Sequence, residues 1–184
     1  MTVSSPTMTH SGVDTLPVRP STRVDDRERL RSLCGRLSAR SRHQRFLGVL
    51  NNLSEAFLTH LLDVDHEDRE AIVALDGDDI VAVARYAISP LNPDEADVAV
   101  LVVDDWQHRG LGRQLTGELE QFAVARGVQV FNATTLRSNT QAKDLIFALF
   151  LNHQLGYTDG NLRYRLALKA KSPTVHSSAF GDAC

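Results

Sequence analysis

The chain has 184 residues and a formal net charge of −3, with 42% hydrophobic and 23% charged residues. That length supports one domain with a sizeable core and hardly two, and the mildly acidic balance excludes charge-driven binding to nucleic acid. No apolar run approaches the roughly 20 residues that cross a bilayer, and the first residues lack the basic and apolar regions of a secretory signal.

The cysteines, Cys34 and Cys184, do not read as a structural disulfide, because the second ends a polar tail. The expectation is a cytoplasmic protein that partners neither membrane nor nucleic acid. Residues 1–15, rich in Ser and Thr, read as a disordered leader, and 171–184 as a matching tail. The domain is expected over 16–170.

In chain order, "LPVRP" (Leu16–Pro20) suits a first strand. Ser21 or Thr22 is placed to cap a following helix, with Asp25, Asp26 and Glu28 in its first turn and Leu30, Leu33 and Leu37 at helical spacing. "SRHQRFLGVL" and "SEAFLTHLL" continue as helical pieces, the second capped by Ser54. Two apolar runs around "DGDD" predict a hairpin, Ile72–Leu75 against Ile80–Val83. "SPLNPDE" reads as a flexible turn, and "DEADVAVLVV" as the next strand. Gly112 to Arg126 predicts an amphipathic helix with Leu115, Leu119 and Phe122 on one face. "VQVFNATTL" is a strand, "NTQAKDLIFALFLNHQLGY" a helix stopped at Gly156, and "LRYRLALKA" a last strand. The predicted order is β-α-α-β-β-β-α-β-α-β, an α/β (α+β) fold with a mixed, mostly antiparallel sheet flanked by helices.

The stretch that calls for chemistry is "VLVVDDWQHRGLGRQL", Val100 to Leu115. A strand passes through a glycine-spaced turn into a helix. Free N–H groups at a helix N-terminus, with the positive end of its dipole, make a seat for phosphate. No Lys-Ser or Lys-Thr follows the second glycine, which excludes a nucleotide-triphosphate loop, and the antiparallel context excludes a dinucleotide fingerprint. The plainer reading is that Gly110 and Gly112 only shape a tight turn.

Gln107-x-x-Gly110-x-Gly112, at a strand-to-helix junction, resembles the acetyl-CoA pyrophosphate loop of the GCN5-related N-acetyltransferase (GNAT) superfamily. "LSARSRHQRFLG", "IVAVARY", "EADVAV" and "VVDDWQHRGLG" are further similar to the catalytic domain of actinobacterial protein-lysine acetyltransferases, from about Leu16 to Leu168. The resemblance implies the GNAT fold and an acetyl-CoA cosubstrate. It implies acetyl transfer to a primary amine, with a protein lysine as the preferred acceptor. A small-molecule amine is the alternative acceptor, and a non-catalytic CoA-binding sensor the alternative function. The acetyl group is expected to move by direct attack, because no cysteine lies near the motif.

Cofactor contacts are expected from the strand end Leu101, Val102 and Val103, which would splay from its neighbour and pair with the pantetheine amides. The loop Gln107, His108, Arg109, Gly110, Leu111, Gly112 and Arg113 is expected to hold the phosphates, and Asn139 to touch CoA or simply cap the last helix. Nothing in the pattern calls for a metal.

A free lysine has a pKa near 10.4, so the amine needs a base. The family's strand glutamate is replaced here by Asp97, which is either that base, acting through a bridging water, or a solvated member of the acidic cluster Asp94, Glu95 and Asp97. Where many relatives place a tyrosine to protonate the leaving thiolate, this chain has Asn152. His153 is then the candidate acid, against a plain surface histidine at a helix end. Arg42 and Arg45 face either substrate or solvent. Trp106 is expected to pack beneath the loop.

Overall fold

A computed structural model describes residues 16–20, 26–46 and 55–169. The expected caps Ser21, Thr22 and Ser54, the leader and the tail lie outside the described residues. Those described form seven strands and five α-helices: β1 (Val18–Pro20), α1 (Asp26–Gly35), α2 (Ala39–Phe46), α3 (Glu55–Leu62), β2 (Arg69–Asp76), β3 (Asp79–Ser89), β4 (Asn92–Val102), α4 (Leu111–Ala125), β5 (Val130–Thr135), α5 (Thr140–Leu149), β6 (His153–Thr158) and β7 (Asn161–Ala167). The strands make one sheet in the order β1-β2-β3-β4-β5-β7-β6. Every pairing is antiparallel except β4 with β5.

The centre of the sheet is covered on both faces. Successive strand residues point to opposite sides, yet Ile80 through Tyr86 of β3 are all buried. The two helices α1 and α4 both pack on this strand. In α4 the buried stripe is Leu111, Leu115, Leu119 and Ala123, an i, i+4 series. Phe122, expected on that face, is 40% exposed. Lying three residues after Leu119 rather than four, it falls to the flank of the stripe. Leu30, Leu33, Leu37, Leu58 and Leu61 complete the core under the first three helices. Cys34 is free and buried there, and that burial pushes its thiol up to about 11, against a smaller opposing pull from Arg45.

Three expectations are corrected. The first pair of predicted helices is three, because "RLSARS" breaks after Gly35 and restarts at a new cap: Ser38 Oγ accepts the N–H of Ser41 at 3.1 Å. The predicted loop Ser89–Asp94 is only Pro90–Leu91, since Ser89 pairs with Asn92 and β4 starts there. The last helix does not run to Gly156. It ends at Leu149, Phe150 adopts an extended conformation, and His153–Thr158 become the edge strand β6. The turn back is Asp159-Gly160, with φ of 48° and 78°, the two-residue hairpin geometry that Asp-Gly favours.

β1 is fastened to α1 by a charge pair. Arg19 donates to both oxygens of Asp26, at 2.9 and 2.5 Å, and the Asp26 side chain is fully buried. Arg29 stands 3.7 Å from the same carboxylate. Breaking a buried pair by removing its closest partner is typically worth about 3 kcal/mol or more. Arg19→Met should therefore lower the urea unfolding free energy by about that amount. Arg19→Lys should lose only part of it. An unchanged denaturation midpoint in Arg19→Met would show that Asp26 does not depend on Arg19.

Candidate active site

β4 and β5 pair in parallel over one short stretch, Glu95–Asp97 against Val130–Asn132. Past the Asp97–Asn132 rung no ladder joins them. From there Val98–Val102 on one side and Ala133–Thr135 on the other line a cavity of about 640 Å³. A strand edge without a neighbour presents unpaired N–H and C=O groups, so the wedge is a slot for an extended, amide-bearing ligand. Leu101 and Val102 line it. Val103 does not: it is buried, and its N–H is given to Val81 O at 3.0 Å, which ties the strand end back to β3.

The floor of the wedge is the start of α4. Asp104–Trp106 form one 3₁₀ turn, His108 takes φ 60°, and Gly110 caps α4 at φ 83° without any side-chain hydrogen bond. His108, Gly110, Leu111, Gly112 and Arg113 all line the cavity, and the first N–H groups of a helix have no partner within it. The two glycines differ in kind. Gly110 is required by its left-handed conformation. Gly112 is not: a Cβ there would stand 3.6 Å from Leu145 Cδ2 and 4.0 Å from Val102 Cγ2, ordinary contacts. Packing within the fold gives no steric reason for glycine at 112.

A polar network sets this loop. Gln107 Nε2 donates to Val102 O at 3.0 Å and to Ser41 Oγ at 3.2 Å, closing the turn against the strand it left. Gln107 Oε1 accepts from Gln141 Nε2 at 3.0 Å, and that nitrogen also lies 2.9 Å from His108 Nε2. Asp104 accepts from Ser38 N, Ser38 Oγ and Ser41 Oγ at 2.9, 2.8 and 2.9 Å. The Ser-x-x-Ser spacing of α2 is thereby explained: both hydroxyls grip the acid that follows β4. Burial works against the Asp104 charge, but these hydrogen bonds outweigh it and hold the carboxyl below its ordinary value. Gln141, Ser38 and Asp104 were not singled out in the sequence, since their partners are distant in the chain.

The remaining expected residues divide. Arg109 is not among the lining residues; its guanidinium stacks 4.8 Å over Trp106. Arg113 lines the cavity but gives Nη2 to Ala148 O at 3.1 Å, bracing the end of α5. Asn139 caps α5, its Oδ1 accepting from Ala142 N at 3.1 Å, and the residue also lines the cavity. Asp97 is exposed on β4 and lines the cavity at the point where the strands part.

His153 is not brought to Asp97. It begins the edge strand β6, lies outside the cavity lining, gives Nδ1 to Phe150 O at 3.1 Å and packs 5.1 Å from the Phe147 ring. Asn152 and Tyr157 are likewise outside the lining, Tyr157 under Arg137 at 5.1 Å.

Arg45, on α2, lines the cavity. Burial, and then the neighbouring Arg85 guanidinium, push its pKa down to about 10, so it stays charged at neutral pH. Among the described residues, no group of three or more His, Cys, Asp or Glu is placed to hold a metal ion, and no helix is long and apolar enough to cross a membrane.

The wedge between parallel strands above a glycine-capped helix is the geometry of a family to which the chain belongs: it matches the acetyltransferase (GNAT) family over residues 38–147. It is 35% identical to an acetyltransferase of Pseudomonas aeruginosa over 156 residues, 82% of this chain and 83% of that protein. It is 34% identical over 124 residues to acetyltransferase Pat of Mycolicibacterium smegmatis, matching 65% of this chain but only 37% of Pat. Among solved structures, the GNAT domain of S. lividans PAT superposes with a TM-score of 0.75 at 31% identity, covering 82% of this chain and 89% of that one. The protein is thus an N-acetyltransferase of the GNAT class, a family whose cosubstrate is acetyl-CoA.

The Asp104 network makes stability depend on pH with a definite sign. A carboxyl whose folded-state pKa is depressed contributes fully above its unfolded value, near 3.9. That contribution fades as pH falls toward the lower folded value. Wild type should therefore exceed Asp104→Asn in unfolding free energy at pH 6, with the gap closing below about pH 4. A gap that is constant from pH 6 to pH 2.5 in urea titrations would mean that the Asp104 charge has no part in it.

Proposed function

We propose that this protein transfers the acetyl group of acetyl-CoA to the side-chain amine of a protein lysine, by direct attack of the amine. The observation that carries the cosubstrate is the pairing of an open strand edge with a helix N-terminus at its end. In this reading, the N–H groups of Gly110 to Arg113 seat the pyrophosphate. The free edge of Val98–Val102 receives the pantetheine arm, with Gly112 leaving room for it. The bound acetyl-CoA supplies an activated thioester carbonyl.

Asp97 is the base. It is the carboxylate that lines the cavity on the bared strand, and it is open to solvent, so a water can relay the proton from an incoming ammonium. Arg45 adds positive charge on the α2 side of the cavity, which disfavours a protonated amine close by. His153 has no place in this scheme: from β6 it does not reach the cavity. The leaving thiolate, with a pKa of the ordinary thiol range near 8.5, departs without a dedicated acid.

The lysine acceptor is supported by the resemblance to protein-lysine acetyltransferases and by the similarity to Pat. It is also supported by the accessibility of Asp97, which a side chain on another protein's surface can reach. The reading places the protein in the cytoplasm, where acetyl-CoA is made available.

Gly112→Glu should fold and lose acetyl-CoA binding in calorimetry, because a carboxylate would stand in the phosphate seat. Gly112→Ala should fold with unchanged stability while binding acetyl-CoA more weakly. Full affinity in both folded variants would remove the phosphate-seat assignment.

Asp97→Asn should retain acetyl-CoA affinity and slow turnover by roughly 10²–10⁴-fold at pH 7, the usual worth of a general base. The deficit should shrink as pH rises toward 10 and more amine arrives neutral. A wild-type rate in this variant would return Asp97 to the status of a solvated strand residue. Turnover of small amines orders of magnitude better than any protein lysine would replace the acceptor and leave the acetyltransferase standing.

A further inference from the structure

Two polar side chains in the cavity wall, Asn132 and Thr135, carry a buried oxygen without a hydrogen-bond partner among the described residues, and of the two Asn132 stands where the strands part. Asn132 of β5 is 5% exposed and lines the cavity, and its Oδ1 has no hydrogen-bond partner among the described residues. Buried acceptors of this kind are uncommon and call for an explanation.

Its neighbours determine which way the amide faces. Asn132 Nδ2 donates to Glu95 Oε2 at 2.8 Å. The other Glu95 oxygen accepts from Asn92 Nδ2 at 2.9 Å and from Arg165 Nη2 at 2.5 Å. These contacts, the Asn132 hydrogen bond foremost, hold the Glu95 carboxyl below its usual range. It is ionised and can only accept. The NH₂ end of the Asn132 amide must therefore face Glu95, and planarity turns the carbonyl end away from it. Glu95 and Arg165 thus orient an amide that they have no other evident reason to orient.

The position of that carbonyl gives it a use. Asn132 is the direct register partner of Asp97, in the last rung before β4 and β5 separate. Residues opposite each other in a sheet put their side chains on the same face. The apex of the wedge therefore offers two acceptors together, the Asp97 carboxylate and the Asn132 carbonyl oxygen. An acceptor-only pair is complementary to a group with several N–H donors and no acceptor, which is the description of a primary ammonium. It is a poor match for a hydroxyl or thiol, each of which brings one proton.

We propose that Asn132 Oδ1 accepts a hydrogen bond from the nitrogen of the acceptor amine, and that with Asp97 it forms the docking site that aims the amine at the thioester. This inference rests on the acetyl-CoA reading above. It adds a second substrate contact that selects amines over other nucleophiles. Glu95 and Arg165 are positioning residues that act through Asn132.

The test uses two CoA derivatives of nearly equal shape. S-(2-aminoethyl)-CoA ends in an ammonium close to where the attacking nitrogen must lie, and S-propyl-CoA ends in a methyl group. Calorimetry on the full chain should show wild type preferring the aminoethyl form. Asn132→Leu, near in volume but without either polar end, should cut that preference at least roughly fivefold, the scale of one hydrogen bond, with affinity for CoA itself unchanged. Glu95→Gln removes the charge that forces the amide to face one way, and should reduce the preference part way; it decides the matter alone if Asn132→Leu does not fold.

A preference equal to that of wild type in the folded variants overturns the proposal, and so does a wild-type protein that binds CoA but does not prefer the aminoethyl form. Loss of CoA affinity together with the preference would assign Asn132 to cofactor binding instead. Failure of wild type to bind CoA at all would instead overturn the cosubstrate reading, and this one with it.

Discussion

The rest of the site depends on the parting of two parallel strands. β4 and β5 share three rungs, Glu95–Val130, Ala96–Phe131 and Asp97–Asn132, and then diverge. Each keeps a full ladder on its other side, β4 with β3 and β5 with β7. The sheet therefore stays intact while an interior edge is bared. An edge at the rim of a sheet invites any passing strand. This one is walled by residues of α4, α5 and α2. In the proposed function the parting also brings the reactive groups together: Asp97 and Asn132 occupy the last closed rung, and the proposed phosphate seat, the start of α4, lies at the open end of β4.

Two tethers hold the open end in shape. Gln107 returns to the carbonyl of Val102 and, through its other amide atom, reaches α5 at Gln141. Asp104 gathers Ser38 and Ser41 and so fixes α2 against the same loop. Hydrogen bonds to an ionised group are the stronger kind, and three converge on Asp104. Because α2 is anchored at Ser38 and Ser41, its next turn carries Arg45 along the cavity toward the reacting end. A residue read as a solvent-or-substrate ambiguity in the sequence is placed by an acid more than fifty positions away in the chain.

Charge is distributed along the wedge in a way that suits the reaction. The helix terminus and Arg113 bring positive potential to the phosphate end. Arg45, whose charge is opposed by the nearby Arg85 guanidinium, lines the cavity from α2. At the apex the sign reverses, with Asp97 exposed and Glu95 already compensated by Arg165 and two asparagines. In the proposed function an amine would be drawn to the apex by Asp97 and Asn132, while the Arg45 guanidinium would disfavour its protonated form. The two effects act on different steps, encounter and attack.

The sequence by itself determined the elements whose signals are local. Val100–Leu115 announced a strand, a turn and a helix, because an apolar run ends at glycines two residues apart and Leu115 and Leu119 follow at helical spacing. The Asp-Gly-Asp-Asp hairpin was legible for the same reason. Asp97 was legible as a carboxylate in an apolar strand. The end of α5 was not, because Leu149, Phe150, Leu151 and Leu155 continue an apolar pattern that fits helix or strand. Asp159-Gly160 was the available sign of the β6–β7 hairpin. Only the tertiary structure decided the rest: that His153 lies on an edge strand away from the cavity, that Val103 is tied to Val81, and that Ser38, Ser41 and Gln141 build the loop. Only it could set Asn132 beside Asp97. Those relations join residues far apart in the chain, and strand register, which decides them, depends on how the whole sheet assembles rather than on any short stretch of sequence.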